Sequence, residues 1–259
     1  MKNDILSVVQ CEQLKPDIFA LHLRSPYISS TILPGQFINI KVQSGTYPLL
    51  RRPFSVAYKK DDVISIIFNI VGEGTRILSE KKPGDSIDVL GPLGRSFTFP
   101  GHAASVLLVA GGLGMAPMPI LTQALVNNGI HRIETFLGAR TKDYLVDYNL
   151  KNVHYATDDS SMGFHGTVVS LVEQWLRENT DHEDKPVYVY ACGPNPMLME
   201  LQKMLANRRI GGQVSLECVM ACGIGICQGC PVGSRDGTKK YQLVCKDGPV
   251  FDIHSVMIQ

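Results

Sequence analysis

The chain has 259 residues, enough for two domains and a short appendage, and its 44% hydrophobic content is that of an ordinary globular protein. Its 25 basic and 24 acidic residues leave a formal net charge of +1, so no global field attracts a polyanion and nucleic-acid binding is not expected. The longest apolar stretch, residues 105–121, is interrupted by glycines and prolines, and no targeting segment is recognisable. We therefore expect a cytoplasmic protein that does not bind membranes.

Residues 5–90 have the pattern of an antiparallel β domain. Short segments rich in β-branched and aromatic residues recur between turn residues, at 18–23 (IFALHL), 36–42 (QFINIKV), 63–71 (VISIIFNIV) and 86–90 (SIDVL). About six strands at this spacing predict a small barrel. We place this domain at residues 1–101.

Two segments of the predicted barrel have the chemistry of a phosphate and ring site. Arg52, held extended by Pro53, can clamp a diphosphate, and Ser55 can hydrogen-bond the edge of a flavin ring. Gly74 and Thr75, at a predicted helix start, can donate backbone N–H groups to the same phosphates. Read without context, two arginines before a proline form a surface charge pair more often than a ligand site.

From about residue 104 the pattern changes to alternating strands and helices. The run SVLLVA (105–110) is typical of a buried parallel strand, and further strands are predicted at 133–139, 153–157 and 187–192. Helices are predicted around 167–178 and 196–206. This order predicts a doubly wound α/β domain, which we place at residues 102–216.

A glycine-rich turn follows the first strand of this domain. Gly111, Gly112 and Gly114 would let a pyrophosphate approach the backbone at a helix N-terminus, where Pro117 suits the first turn. The third glycine of the usual dinucleotide fingerprint is missing, so a plain strand–helix turn remains the alternative.

A second turn, Cys192-Gly193-Pro194, follows the last strongly apolar strand. It lies at the carboxyl end of a strand, where open α/β sheets bind ligands. A helix start with proline would explain the same residues.

Residues 217–259 are rich in cysteine and glycine and contain too few apolar residues for a core of their own, so a metal is expected to hold them together. Cys222, Cys227, Cys230 and Cys245 follow the C-x4-C-x2-C…C spacing of plant-type [2Fe–2S] proteins. Structural zinc is the main alternative, although zinc sites usually show two C-x2-C units. We interpret Cys218 as a buried small hydrophobic residue.

Taken together, these segments resemble the ferredoxin–NADP reductase superfamily. The resemblance lies in R-P-F-S (52–55) and G-E-G-T (72–75) of a flavin barrel, followed by G-G-L-G-M-A-P (111–117) and C-G-P-N-P-M (192–197) of a nicotinamide domain. With the cysteine segment and D-G-P-V-F-D (247–252), the chain looks specifically like the electron-transfer subunit of class 1B dihydroorotate dehydrogenase.

The resemblance implies an N-terminal flavin barrel, a nicotinamide domain and a small [2Fe–2S] domain at 217–259. It also implies cofactors and a partner: FAD, one [2Fe–2S] cluster and NAD, with a separate FMN-containing dihydroorotate dehydrogenase subunit in a heterotetramer of two each. In pyrimidine biosynthesis, electrons would pass from that FMN through the cluster and FAD to NAD⁺. Two rivals remain: an NADH-dependent flavin iron–sulfur subunit serving a ferredoxin or sulfite reductase, and a metal-stabilised interaction or redox-sensing module without flavin.

The resemblance also implies site residues, with no side chain acting as a general acid or base. The expected FAD contacts are Arg52, Pro53, Phe54, Ser55, Asn69, Ile70, Val71, Gly74 and Thr75. The expected nicotinamide contacts are Gly111, Gly112, Gly114, Cys192, Gly193 and Pro194. The expected cluster ligands are Cys222, Cys227, Cys230 and Cys245.

Three residues near the expected cofactors depart from the family pattern. Arg95 and Ser96 replace an expected Asn-Gly, and Ser160 lies in a segment where glycine is usual. Arg140, just after the second strand of the nicotinamide domain, faces either a 2′-phosphate or solvent, so NAD and NADP are not distinguished.

Overall fold

A computed structural model describes residues 1–100, 105–179, 186–235, 237 and 239–259. The residues before 94 form a closed antiparallel barrel with the strand order β1-β2-β5-β4-β3-β6, as the alternating pattern predicts. Its strands are β1 (Lys2–Lys15), β2 (Ile18–Arg24), β3 (Phe37–Lys41), β4 (Arg52–Lys60), β5 (Val63–Asn69) and β6 (Ser86–Leu93). Its helices are α1 (Pro26–Thr31) and α2 (Glu73–Ser79).

The interior of the barrel is filled by the apolar positions that alternate along its strands. Leu21, Leu23, Ile38, Ile40 and Ile64 are all completely buried. Closure of the sheet removes the exposed edges that a short β domain would otherwise present.

The second unit is a seven-stranded sheet flanked by three long helices. Its strands are β7 (Ser105–Gly111), β8 (Ile133–Ala139), β9 (Val153–Thr157), β10 (Phe164–His165), β11 (Val187–Cys192), β12 (Gly211–Ser215) and β15 (Val250–Asp252). The helices are α3 (Met118–Asn127), α4 (Val168–Asn179) and α5 (Asn195–Arg208), and short 3-10 turns cover Gly112–Met115 and Lys142–Tyr144.

The sheet has the order β10-β9-β8-β7-β11-β12-β15, with β7 at its centre. All residues of β7 are buried, as its continuous apolar run predicts for a central parallel strand. The doubly wound arrangement is confirmed, and it brings the carboxyl ends of β7, β8, β9 and β11 to one edge of the sheet.

The C-terminal segment is less independent than its composition suggests. A small sheet of β13 (Pro231–Ser234), β14 (Tyr241–Leu243) and β16 (Val256–Met257) has the order β14-β13-β16. Strand β15, however, pairs antiparallel with β12, and Val244, Phe251 and Ile253 join the hydrophobic core of the larger sheet. Shared packing therefore supports this segment in addition to any metal.

Within the described ranges, none of the helices is both long and apolar enough to cross a membrane. The predicted boundary between the first two domains, at residues 101 and 102, lies outside the described residues.

Candidate functional site: two adjoining cavities and a cysteine loop

A cavity of about 320 Å³ lies where the barrel meets the sheet and the C-terminal segment, and we call it the barrel cavity. Its lining residues are Phe37, Pro53, Phe54, Ser55, Ile67, Phe68, Asn69, Val71, Thr75, Leu113, Ala116, Ser215, Leu216, Glu217, Cys218, Met220 and Pro249. Six of the nine predicted FAD contacts are therefore in its wall. Aromatic walls with a few polar groups are what a planar heteroaromatic ring with polar edges requires.

A second cavity, of about 570 Å³, lies at the carboxyl edge of the large sheet, and we call it the sheet-edge cavity. Its lining residues are Asn69, Gly111, Gly112, Leu113, Gly138, Ala139, Arg140, Tyr144, Asp158, Gly166, Thr167, Val168, Pro194, Pro196, Met197 and Glu200. A Cβ at Gly112 would meet no atom within 4 Å, so the backbone there is open to a ligand. Three of the six predicted nicotinamide contacts, Gly111, Gly112 and Pro194, therefore line this cavity.

The two cavities share Asn69 and Leu113 as wall residues. Asn69 ends strand β5 of the barrel, and Leu113 lies in the glycine-rich turn after β7. Ligands held in the two cavities would therefore both contact these two residues.

Arg51 and Arg52 have different environments, although they are neighbours in sequence. The Arg51 guanidinium contacts both carboxylate oxygens of Asp88 at 2.9 Å and also donates to the Asn39 carbonyl. Among the residues that the structure describes, Arg52 donates only to backbone carbonyl groups of its own segment, and its Nε lies against Gly74, 3.3 Å from where a Cβ would stand. Arg52 is thus the cation left available at the start of α2.

The start of α2 is built by Thr75. Its hydroxyl oxygen accepts from the backbone N–H groups of Val71 at 2.9 Å and Gly72 at 3.3 Å, and it donates to the Gly72 carbonyl. The hydroxyl of Thr75 therefore shapes the turn at the start of α2.

Ile70, another predicted FAD contact, lines neither cavity, and its backbone N–H donates to the Asp17 carbonyl.

Gly114 and Gly193 are needed for the packing of two turns against each other. A Cβ at Gly114 would lie 2.2 Å from the Cys192 carbonyl oxygen, and one at Gly193 would lie 2.9 Å from the Gly111 nitrogen. Neither glycine lines a cavity. Their absent side chains allow close approach of backbone to backbone.

This packing gives a direct prediction for Gly114→Ala. Because the new methyl group would collide with backbone, which cannot rotate away, we expect a loss of about 2–3 kcal/mol in the free energy of unfolding. Thermal or denaturant unfolding checks the value. Gly211→Ala is the matched control, since its Cβ would lie 3.5 Å from the Tyr188 ring in ordinary contact. Equal stability of the two variants would contradict the packing role.

Cys192 and Glu217 form a pair behind the barrel cavity. The buried Cys192 Sγ lies 4.0 Å from Glu217 Oε1, and burial, with the nearby carboxylate second, raises the pKa of this thiol well above its usual value. Desolvation raises the pKa of Glu217, although the residue stays accessible to solvent where it lines the cavity. The Cys192 thiol is thus held protonated, which suits a positioning contact and not a nucleophile.

The four predicted cluster ligands lie in two pairs. Cys230 Sγ and Cys245 Sγ are 3.3 Å apart, and the Cys227 thiol hydrogen-bonds the Cys222 sulfur. No three potential ligands converge on one point as a single ion would require, within the residues that the structure describes. Two thiol pairs match the two irons of a [2Fe–2S] cluster held by four cysteines, whereas tetrahedral zinc requires four ligands around one centre.

Backbone N–H groups point at the sulfurs of this loop. Cys222 Sγ accepts from Ile224 at 3.5 Å and from Cys227 at 3.4 Å, and Cys230 Sγ accepts from Cys245 at 3.5 Å. Desolvation opposes ionisation of Cys222, but these donors and the Cys227 thiol lower its pKa to about 6. Backbone donors of this kind stabilise cysteine thiolates in iron–sulfur sites.

Cys218 is less buried than predicted. It is half-buried, lines the barrel cavity and hydrogen-bonds Cys230, and burial followed by the Cys230 charge raises its pKa to about 12. It packs against the hydrophobic core, which agrees with its interpretation as a small apolar residue.

The sequence analysis did not predict several residues that line the two cavities. Phe37 lines the barrel cavity because β3 pairs it with Ser55, and Glu217 follows the carboxyl end of β12. Asp158 lies in the sheet-edge cavity just after β9. The rule that ligands bind at the carboxyl ends of strands is a signal that would have found Glu217 and Asp158, whereas finding Phe37 requires knowledge of the strand register.

Two of the unusual residues have structural consequences. Ser160 has φ of +63°, a left-handed conformation that glycine adopts without strain. Arg95 donates its backbone N–H to the Gly248 carbonyl at 2.5 Å, which joins the end of the barrel to the C-terminal segment.

Comparison with protein families supports this arrangement. A family model described as the iron–sulfur cluster binding domain of dihydroorotate dehydrogenase B matches residues 217–257. A dihydroorotate dehydrogenase B (NAD(+)) electron transfer subunit from Desulforamulus reducens is 38% identical over 254 residues, covering 94% of each chain. A subunit of the same name from a Geobacillus species (strain WCH70) is 36% identical over 271 residues and covers 100% of both chains.

Solved structures have the same fold. An NADH-dependent reduced ferredoxin-NADP oxidoreductase structure superimposes with a TM-score of 0.83 at 31% identity, over 98% of this chain and 90% of the other. A ferredoxin NADP⁺ reductase from Neisseria gonorrhoeae with bound FAD and NADP gives a TM-score of 0.66 at 15% identity, over 80% and 92%. The second likeness concerns the fold alone. The full-length identities are decisive: the chain belongs to the family of dihydroorotate dehydrogenase B (NAD(+)) electron transfer subunits.

Proposed function

We propose that this chain is the electron-transfer subunit of an NAD-linked dihydroorotate dehydrogenase, an oxidoreductase of pyrimidine biosynthesis. It carries electrons from the FMN of a catalytic subunit to NAD⁺, using a [2Fe–2S] cluster and FAD. In this proposal FAD binds in the barrel cavity, NAD binds in the sheet-edge cavity, and Cys222, Cys227, Cys230 and Cys245 bind the cluster.

The observation that carries this proposal is the order of the three sites. The sheet-edge cavity adjoins the barrel cavity through Asn69 and Leu113, and Cys218 and Met220 of the cysteine segment line the same barrel cavity. The proposed flavin site would therefore lie between the other two proposed sites. This is the required position, because FAD can accept electrons singly and release them in pairs.

The residues of the chain bind and orient, and none is required to transfer a proton. Arg52, Gly74 and Thr75 hold the diphosphate of FAD at the start of α2. Pro53, Phe54, Ser55, Asn69, Ile70 and Val71 are the remaining proposed FAD contacts. Gly111, Gly112, Gly114, Cys192, Gly193 and Pro194 form the turns of the proposed nicotinamide site.

The family implies a catalytic partner subunit, since its members are electron transfer subunits. We further propose that the partner holds FMN and that the complex contains two subunits of each kind. The division into units at 1–101, 102–216 and 217–259 and the cytoplasmic location remain predictions within the same proposal.

The test is dihydroorotate-dependent NAD⁺ reduction in an extract lacking this chain, before and after addition of the purified holoprotein. Activity that appears only on addition supports the route and identifies the substrate of the partner. If the holoprotein oxidises NADH with an artificial acceptor but its addition produces no dihydroorotate-dependent NAD⁺ reduction, the proposed partner is wrong.

One observation favours a second candidate. The solved structure with a TM-score of 0.83 is an NADH-dependent reduced ferredoxin-NADP oxidoreductase, and it covers nearly the whole chain at 31% identity. A flavin iron–sulfur subunit serving a ferredoxin-type or sulfite-reducing partner would use the same two cavities. Reduced ferredoxin as electron donor in the NAD⁺ assay distinguishes this alternative.

The sheet-edge cavity predicts a preference for NAD over NADP. Asp158 lines it at the end of β9, where a carboxylate can accept from ribose hydroxyls and repels a 2′-phosphate. We expect Asp158→Ser to raise kcat/KM for NADPH relative to NADH roughly tenfold, as loss of about 1.4 kcal/mol of repulsion implies. Dye-linked oxidation of both nucleotides measures the ratio.

Arg140→Ala is the matched control for this prediction, because Arg140 lines the same cavity with the opposite charge. It should leave the NADH rate close to that of the unsubstituted protein and lower any residual NADPH rate. A wild-type preference for NADPH, or an unchanged ratio in Asp158→Ser, would contradict the assignment of Asp158.

A further inference from the structure

Asn39 is a buried polar residue whose side chain lies between the barrel and the cysteine loop. It is 1% exposed, on strand β3, two residues after Phe37 of the barrel cavity. Its Nδ2 donates to the Cys222 carbonyl at 3.3 Å, a contact between residues 183 positions apart. A barrel side chain thus bonds the backbone of a proposed cluster ligand.

The contact is close because the loop has no side chain at this point. Gly223 has φ of +71°, and a Cβ there would stand 2.5 Å from Asn39 Nδ2 and 3.8 Å from the Phe37 ring. Since the Cys222 carbonyl can only accept, the amide must present its nitrogen to the loop. The backbone of the cysteine loop therefore contacts strand β3 directly.

The other polar atom of this amide is its oxygen. Asn39 Oδ1 is buried and accepts no hydrogen bond in the described part of the protein, which is a cost to stability that an apolar side chain of similar size would avoid. Arg51 holds the backbone of Asn39 through its carbonyl at 3.3 Å, so the strand is fixed as well as the side chain. A residue that costs stability yet touches a ligand loop suggests a role at the site.

We propose that Asn39 is a positioning residue that fixes the Cys222 side of the cluster loop against the flavin barrel. This inference rests on the proposed function, since it assumes that the loop binds a [2Fe–2S] cluster. Asn39 contacts the backbone of the loop, leaving the Cys222 sulfur free for iron. Its contribution is to keep the loop closed on the metal and to limit access of solvent.

The test compares Asn39→Leu with the unsubstituted holoprotein. Leucine keeps the approximate shape but removes both the donor and the unpartnered oxygen. We expect iron release to a chelator to become about fivefold faster, the factor that corresponds to one hydrogen bond of about 1 kcal/mol. The midpoint potential of the cluster should shift upward, because greater solvent access favours its more negative reduced state. Thermal stability of the protein should not fall.

Two further variants complete the design. Asn39→Asp keeps the shape but directs an oxygen at the Cys222 carbonyl, so iron release should be at least as fast as in Asn39→Leu. Thr135→Val is the matched control, because Thr135 Oγ1 is equally buried and unpartnered in the described residues but lies on β8 of the large sheet. It should leave iron release and potential unchanged.

The outcomes separate this inference from the proposed function. A wild-type protein that binds no [2Fe–2S] cluster overturns both. A wild-type protein with the cluster, together with unchanged iron release and potential in Asn39→Leu, overturns the role of Asn39 alone. Faster release in Thr135→Val to the same extent also overturns it, because the effect would then be general loosening.

Discussion

Cys227→Ser should reduce dihydroorotate-driven NADH formation to background, while NADH oxidation with a small dye persists. Cys227 is the exposed member of the Cys222–Cys227 pair, and its sulfur accepts from the Gly229 backbone at 3.4 Å. Serine supplies a harder oxygen ligand and loses the thiolate that iron prefers. Outer-sphere changes at metal sites already cost about 10–100-fold, so loss of a ligand should exceed about 100-fold.

The two activities differ because they depend on different sites. In the proposed route the dye reaction needs only the barrel and sheet-edge cavities, whose linings do not include Cys227. Coupled and dye-linked rates on the same preparation, with iron content, give the measurement. A coupled rate equal to that of the unsubstituted protein would remove Cys227 from the electron route.

Cys11→Ser is the matched control. Cys11 is also a free cysteine, but it lies in β1 of the barrel, where its thiol is within 3.7 Å of the Leu78 carbonyl. Both rates and the iron content should stay within about twofold of the unsubstituted protein, as expected for a substitution away from the site. Loss of coupled activity here would indicate that thiol-to-hydroxyl exchange damages the fold in general.

Much of the architecture could be predicted because it depends on local patterns. Alternating strands indicated the barrel, the continuous apolar run of β7 indicated a central parallel strand, and the cysteine spacing indicated an iron–sulfur ligand set. Each strand, glycine-rich turn or cysteine segment is a short local signal. Short motifs therefore indicated the fold class and the cofactor types.

Contacts between distant segments could not be predicted in this way. The packing of Asn39 on Cys222, and the pairing of β15 with β12, depend on how separately formed units meet. The glycine pattern predicted ligand contacts for both Gly112 and Gly114, but the two residues have different environments. The backbone at Gly112 is open to a ligand, whereas a side chain at Gly114 would collide with the Cys192 carbonyl. The sequence alone does not distinguish a glycine that leaves room for a ligand from one that allows close packing of another backbone segment.

The sequence alone also did not distinguish the roles of Arg51 and Arg52, the two arginines before Pro53. The different environments of these arginines lead to the second of the two largest expected effects. A surface charge pair was the alternative interpretation, but in the described ranges Arg51 forms an ion pair, with Asp88, and Arg52 forms none. We expect Arg52→Ala to weaken FAD binding roughly 10- to 100-fold, because a charge-assisted contact contributes about 1.5–3 kcal/mol. Titration of the apoprotein with FAD, or flavin retained after gel filtration, measures the loss.

Arg51→Ala is the control that separates binding from folding. It leaves Asp88 without its bidentate partner and the Asn39 carbonyl without a donor, so the unfolding free energy should fall by about 1–2 kcal/mol. Because Arg51 points away from Gly74 and toward β6, FAD affinity at low temperature should change little. Arg52→Ala should show the opposite: near-normal stability of the apoprotein and weak flavin binding. If Arg52→Ala retains FAD while Arg51→Ala loses it, the proposed diphosphate contact is assigned to the wrong arginine.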